Sequence, residues 1–327
     1  MDDTDRKLLV LISADPRINT RELAKRLGIS RQTVQRRMQV LTKNGMVKGI
    51  TAGISVNYLD AVHMVVFGRS NTASIEGTLS GLGESEFTRS AIVAGGNFLY
   101  VGGLLRNISE LDSYAKFVKR VAEMPAPTVG VYCVDDEIMP ENIVDGWKRK
   151  QSYKKLTHLD LKIIASLKDN ARRPTADIAD AVGVSTKTVR RHLESMTSGG
   201  SLEFDVPWDL LSGADMFTLM HVNLKEGADK EEVGRRLFSK YPFQTLYIRS
   251  FSNLPSFLLC ILCSDKMTEM RKVLRDIGED EDVLAVTPNL LYLERTYTTW
   301  RNKLPEVQTR LSGKARTRKL HSELRRQ

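Results

Sequence analysis

Residues 20–38 read Thr20-Arg21-Glu22-Leu23-Ala24-Lys25-Arg26-Leu27-Gly28-Ile29-Ser30-Arg31-Gln32-Thr33-Val34-Gln35-Arg36-Arg37-Met38. Thr20 to Leu27 carries its apolar residues at helical spacing, and Gly28 suits the positive φ that ends a helix. Ser30 is a good N-cap for a further helix whose Val34, Met38 and Leu41 fall at i, i+4 and i+7 and face inward. Working outward, Asp5 or Thr4 is expected to cap a preceding helix with Leu8, Leu9, Leu11 and Ile12 on one side, ended by Asp15-Pro16. Asn44-Gly45 closes the last helix, and Met46 to Asn57 is expected to form a short hairpin around Ala52-Gly53. Three helices and a hairpin in this order make a helix-turn-helix followed by a wing.

The same unit is written twice. Residues 5–47 lie over 160–202 at a constant offset of 155 without a gap. Asp5/Asp160, Thr20/Thr175, Ala24/Ala179, Gly28/Gly183, Ser30/Ser185, Thr33/Thr188, Val34/Val189, Arg36/Arg191 and Gly45/Gly200 are identical. Leu8/Ile163, Leu23/Ile178, Leu27/Val182, Met38/Leu193 and Leu41/Met196 keep the apolar phase. A period this long is a duplication of half the chain, not a solenoid of 20–50 residue repeats.

The outward side of the third helix points to nucleic acid. Arg31, Gln32, Gln35, Arg36 and, in part, Arg37 lie on it, and Arg and Gln read guanine and adenine edges bidentately in the major groove. Ser30 and Thr33, with the helix N-terminal amides, suit a phosphate, and Lys48 follows at the start of the wing. The second copy offers Ser185, Lys187, Thr188, Arg190, Arg191 and His192 at matching places.

The charge supports this. The 327 residues carry a net +9, of which residues 2–50 hold +6 and residues 294–327 hold +7, leaving −4 for the rest. Two basic ends on a mildly acidic middle suit a polyanionic partner, double-stranded DNA first. The copies differ: residues 157–205 hold seven Lys/Arg and seven Asp/Glu. Its wing segment, Leu202 to Val206, contains Glu203 and Asp205, which would repel phosphates. The first copy is therefore expected to dominate DNA affinity. Lys314, Arg316, Arg318 and Lys319 are expected to contact phosphates from the C-terminal tail.

Between the helix-turn-helix units the pattern alternates. Strands are expected at 63–67, 87–93, 98–105 and 128–134, with helices at 72–82 and 109–124. The second half repeats the order with strands at 216–224, 245–251, 257–263 and 283–293 and helices at 230–239 and 267–277. Each is a βαββαβ ferredoxin-like unit, an antiparallel sheet with helices on one face. The expected class is α+β: winged helix-turn-helix 1–57, βαββαβ domain 58–140, basic linker 141–156, winged helix-turn-helix 157–210, βαββαβ domain 211–295, and basic tail 296–327.

A winged helix with the Leu27-Gly28-Ile29-Ser30 turn, followed by a βαββαβ domain, resembles the Lrp/AsnC (feast/famine) transcription regulators. The resemblance covers about 290 residues as two complete copies, whereas the family's usual protomer carries one. It implies sequence-specific DNA binding, assembly through the βαββαβ sheets as a homodimer or as an internal pseudo-dimer, and in some members an amino-acid effector. Effector-binding members carry a Gly-x-x-Asp-like turn between the central strands; here Gly95-Gly96-Asn97-Phe98 and Asn253-Leu254-Pro255-Ser256 stand there. Gly95, Gly96 and Asn97 are the ligand-binding candidates.

Other chemistry finds little support. Three cysteines make no disulfide framework. Cys260 and Cys263 in one strand put their thiols on opposite faces, so neither a metal nor a cofactor is expected. The five histidines lack metal-ligand spacing, and no P-loop, nucleophile elbow or dinucleotide fingerprint occurs. No enzyme is expected. An acidic N-terminus and apolar runs far below the ~20 residues of a membrane span suggest a cytoplasmic protein with no membrane partner. Two alternatives are carried: an architectural DNA-binding protein without sequence preference, and an enzyme like the siroheme decarboxylases, which share the two-domain layout and for which His63 and His221 would matter.

Overall fold

The computed structural model describes residues 2–138, 153–207, 209–212, 216–242 and 244–305. Most of the expected linker and the tail residues Lys314, Arg316, Arg318 and Lys319 lie outside the described residues. Two compact units divide the chain. One takes Met1–Lys48, Ala61–Lys148 and Trp208–Thr298; the other takes Gly49–Asp60, Arg149–Pro207 and Thr299–Gln327.

The first unit begins with α1 (Asp3–Ala14), α2 (Thr20–Leu27) and α3 (Arg31–Lys43). The cap of α1 is Asp2, not Thr4 or Asp5. Asp2 accepts the Asp5 amide at 2.9 Å, and the Asp5 carboxylate accepts the Asp2 amide, which makes Asp5 the N3 partner of a capping box. Gly28 ends α2 in the left-handed region at φ 66°, as Gly183 does at φ 72° in the second copy. A side chain there would be strained.

Two βαββαβ sets follow: β2 (Val62–Arg69), α4 (Ile75–Leu82), β3 (Thr88–Ala94), β4 (Phe98–Leu105), α5 (Leu111–Val121) and β5 (Thr128–Ile138), then β7 (Met216–Leu224), α9 (Lys230–Lys240), β8 (Thr245–Phe251), β9 (Leu254–Ser264), α10 (Met267–Gly278) and β10 (Val283–Thr296). Each makes an antiparallel sheet, β3-β4-β2-β5 and β8-β9-β7-β10, the ferredoxin-like order. Alternate residues of each strand face the helices. Met64, Val66, Leu99 and Val101 pack under Leu79, Leu82, Tyr114 and Val118. Met220, Val222, Leu258 and Cys260 pack under Val233, Leu237, Val273 and Ile277.

The two sheets join inside one chain. β5 pairs with β8 and β10 with β3, closing eight strands into a barrel. β10 pairs with β7 through Leu290↔Thr218 and then with β3 from Leu291↔Ala94 to Thr296↔Ser90. That hand-over explains why it runs to Thr296 rather than ending at Leu293. The residues of opposite parity fill the barrel: Phe67 stacks on Tyr100 and on Phe257 of the other half, both at 5.7 Å. Each buried ring contributes about 1.5–3 kcal/mol, so this inner layer holds the halves together. Gly130 on β5 allows the closure, since a Cβ there would stand 2.5 Å from the Phe251 ring.

The second unit contains α6 (His158–Leu167), α7 (Thr175–Val182), α8 (Thr186–Ser198), β6 (Leu202–Asp205) and β1 (Thr51–Ile54). The hairpin expected around Ala52-Gly53 is not formed. Residues 51–54 are a single strand paired with β6, from Thr51↔Asp205 to Ile54↔Leu202, so the two expected wings make one ribbon. Ala52 is 6% exposed and Ile54 1%; a turn at Ala52-Gly53 would have exposed both. Glu203 is not presented outward as expected: its carboxylate accepts the Val56 amide at 2.9 Å and pairs with Arg301 at 3.2 Å.

Candidate nucleic-acid interface

The two third helices are built alike. Ser30 Oγ accepts the Thr33 amide at 3.1 Å and meets Thr33 Oγ1 at 2.9 Å; Ser185 and Thr188 repeat both distances. These four side chains thus hold the first turn of each helix, satisfying amides that would otherwise lack partners. Val34 and Leu41 on α3, and Val189, Leu193 and Met196 on α8, are buried. That burial turns the opposite face outward.

Arg31, Gln32, Gln35 and Arg36 are exposed, as are Lys187, Arg190 and Arg191. No hydrogen bond or ion pair with other described residues engages any of these seven side chains. Two residues expected among them are occupied instead. Arg37 Nη1 donates to Asp2 at 2.8 Å and to Asp5 at 2.7 Å, binding α3 to the start of α1. The hydrogen bonds it donates to Asp5 and then Asp2 hold its guanidinium pKa above the ordinary value. His192, at the Arg37 position of the second copy, is bonded through Nδ1 to Asp160 Oδ1 at 2.6 Å. Asp160 is 2% exposed. Burial pushes its carboxyl up, but hydrogen bonds from Thr157 and His192 outweigh this and leave the pKa below the usual value. Lys48 is paired with Asp209 at 3.0 Å.

Sequence reasoning treated Asp5 as a cap and did not single out Asp160 as a partner of the third helix. Their identity at the 155-residue offset was the available signal. It also missed Arg6, which is 3% exposed and reaches Asp265 at 3.7 Å before α10, seating the first helix-turn-helix on the second βαββαβ set.

At the effector candidates, Gly95 and Gly96 are exposed, and Gly96 and Asn97 take φ of 69° and 56°. Arg69 Nε donates to the Gly96 carbonyl at 3.2 Å. The second copy's turn is shorter than expected, because Leu254, Pro255 and Ser256 already belong to β9. Its Asn253 is spent on the seam: Oδ1 accepts the Val131 amide at 2.8 Å and Nδ2 donates to the Val129 carbonyl at 2.7 Å.

Inside the barrel, His221 sits among Phe67, Phe98, Tyr100 and Phe257 at 5.2–5.6 Å between centroids. Its Nε2 is 2.6 Å from the Tyr100 hydroxyl. Burial pushes the imidazole pKa down to about 4, so it is neutral near pH 7. No group of three or more His, Cys, Asp or Glu that could hold a metal occurs among the described residues. No helix among them is long and apolar enough to cross a membrane.

A capped third helix with an exposed basic face, present twice and bearing Gln32 and Gln35 in the first copy only, is the arrangement of a helix-turn-helix DNA-binding protein. Residues 1–48 match the winged helix-turn-helix DNA-binding family and residues 156–197 the AsnC-type helix-turn-helix domain. The chain is 26% identical over 148 residues to the leucine-responsive regulatory protein of Klebsiella pneumoniae, covering 43% of this chain and 89% of that protein. Over 58 residues it is 38% identical to an uncharacterized HTH-type transcriptional regulator of Pyrococcus furiosus, covering 18% of this chain and 38% of that one. The chain thus carries two helix-turn-helix domains, the second of AsnC type, and is similar to leucine-responsive regulatory proteins over 43% of its length. Among solved structures, the siroheme decarboxylase NirDL matches 95% of this chain and 99% of its own with a TM-score of 0.57 at 13% identity. At that identity the likeness shows a shared architecture and nothing of activity.

Proposed function

We propose that this regulator binds double-stranded DNA sequence-specifically, with α3 as the principal reader and α8 as the weaker one. The observation that carries the reading is the set Arg31, Gln32, Gln35 and Arg36: exposed, without internal partners, on the first two turns of a capped helix. Dominance of the first copy follows from its charge, +6 against a neutral second copy. Because the βαββαβ sets already pair within one chain, a single chain supplies what a family homodimer would. Further self-association then uses surfaces other than the closed sheets. The basic tail adds affinity without sequence preference. An amino-acid effector at Gly95-Gly96-Asn97 is a subsidiary proposal, tested by titrating the full chain with amino acids and reading heat of binding.

The reading is non-catalytic. A siroheme-decarboxylase-like reaction would need a group offered to the substrate, whereas the Nε2 of His221 is held by Tyr100 and aromatic rings surround its imidazole. Selection of bound duplexes from a random pool at ~150 mM salt, where nonspecific phosphate binding is weakened, tests the proposal. A consensus with half-sites about 10 base pairs apart is the expected result. Retained DNA without a consensus would favour the architectural alternative. No retained DNA at lower salt would refute DNA binding and lead to a tetrapyrrole titration followed by absorbance.

A further inference from the structure

We infer that the two third helices read different base pairs: α3 a half-site containing adenine, through Gln32 and Gln35, and α8 a guanine-rich one, through Lys187 and Arg190. The duplex this chain selects then has two unlike halves. This rests on the DNA-binding reading above and deepens it by naming the residues that set the sequence of each half.

The first argument is that the two helices present equivalent positions alike. Both are 13 residues long and start on a serine cap, Ser30 or Ser185, whose hydroxyl accepts the amide three residues on at 3.1 Å. The buried Val34 and Leu41 of α3 correspond at the 155-residue offset to the buried Val189 and Met196 of α8. A helix with the same start and the same buried stripe turns each remaining position in the same direction about its own axis. Side chains at matching places are therefore comparable one for one.

The second argument is what stands at those places. Arg36 and Arg191 are the same residue, and both are exposed. Around this shared arginine the chemistry changes: Gln32 is matched by Lys187, Gln35 by Arg190 and Gln39 by Glu194, every one of them exposed. Thus α3 carries three glutamines, whereas α8 has neither Gln nor Asn between Thr186 and Ser198. A carboxamide holds one donor and one acceptor side by side, which matches N6–H and N7 of adenine. A guanidinium or ammonium only donates, which matches O6 and N7 of guanine. No side chain of α8 can therefore make the bidentate adenine pair. His192 does not replace it, since its Nδ1 is held by Asp160 at 2.6 Å. The first helix keeps Arg31 and Arg36 for guanine, so its half is mixed, while that of α8 is not.

The test uses the full chain. Bound duplexes are selected from a random pool with the natural sequence and with two exchanges, Gln32→Lys with Gln35→Arg, and Lys187→Gln with Arg190→Gln. All four positions are exposed, so the exchanges spare the fold, which thermal melting checks. The natural sequence is expected to select two unlike halves, one with adenine positions and one guanine-rich. The first exchange should turn adenine positions of one half into guanine. The second should turn guanine positions of the other half into adenine, and each should leave the opposite half as it was. On duplexes differing at one such base pair, fluorescence anisotropy should show the preference swinging by about tenfold or more. Identical halves, a single half, or a base preference that ignores either exchange overturns the inference while sequence-specific binding stands. Retained DNA without any consensus, or no retained DNA, removes the DNA-reading proposal itself, and the inference falls with it.

Discussion

The two third helices, α3 and α8, share their caps and their buried faces, yet they are tied to the rest of their units differently. In the first copy Arg37 bridges Asp2 and Asp5, with its side chain 27% exposed. In the second copy His192 reaches only Asp160, which is almost completely buried and also accepts the Thr157 amide and hydroxyl. Arg37 serves two acceptors from one nitrogen, Nη1, and remains charged, whereas the His192 imidazole bonds a single carboxylate through Nδ1. Duplication therefore kept the acid at Asp5/Asp160, which organises the first helix, and let its partner on the third helix change. Residues that fold the unit are retained, while most of those that face outward, Arg36/Arg191 excepted, and the one that locks it diverge.

The contrast can be broken in several ways. Asp160→Ala should cost about 2–4 kcal/mol, because it opens the α6 capping box, removes a buried carboxylate and leaves the half-buried His192 imidazole without its partner. Asp5→Ala, at a wetter site, should cost about 1–2 kcal/mol. Chemical denaturation of the full chain measures both, and equal losses would remove the distinction. On DNA, Arg36→Ala should weaken binding to the selected duplex by about 1–3 kcal/mol and relax the base preference at one position, with Arg191→Ala costing less. Fluorescence anisotropy against the consensus and single-base variants reads this; a larger loss from Arg191→Ala would reverse the order of the readers.

A third contrast lies in the barrel and sharpens the role of the inner aromatic layer. His221 has a folded pKa near 4 against about 6.5 unfolded. The unfolded chain therefore binds more protons in that window, and stability falls as pH drops from about 6.5 towards 4. Allowing for its partial exposure, the loss should be about 1–2 kcal/mol. His221→Phe should flatten this part of the stability–pH curve, and an unchanged slope would place the acid sensitivity elsewhere. The smallest effect belongs to Arg37→Lys, which keeps the charge on a shorter side chain and should cost about 0.5 kcal/mol. A thermal melting shift matching that of Arg37→Ala would show that the reach of Nη1 to both acids, not the charge, provides the lock.

Much of the architecture was legible before any coordinates. The duplication, the third-helix caps at Ser30 and Ser185, the turn glycines Gly28 and Gly183, and β4, β7 and β8 to the residue follow from local pattern. The outward set Arg31, Gln32, Gln35 and Arg36 follows from helical period alone. Arg37 did not, since it lies at the edge of the inward stripe and only the approach of Asp2 and Asp5 shows which way it turns. The wing was misread because Met46 to Asn57 carries turn-forming residues at Ala52-Gly53, while the alternating burial of Ile50, Ala52 and Ile54 needs a strand partner that local sequence does not name.

What the sequence by itself determined is the inventory: two helix-turn-helix units, two βαββαβ sets, and the side chains each helix turns outward. Caps, turns and periodicity are settled within three or four residues, so a single chain segment contains all their physics. Only the tertiary structure decided which edges meet. β5 with β8, β10 with β3, and β1 with β6 join segments more than a hundred residues apart, as do the bonds of Asn253 to the β5 backbone and of Arg301 to Ile54. A strand edge offers the same amides and carbonyls to any partner, and the choice among partners is made by the burial and charge of the assembled unit.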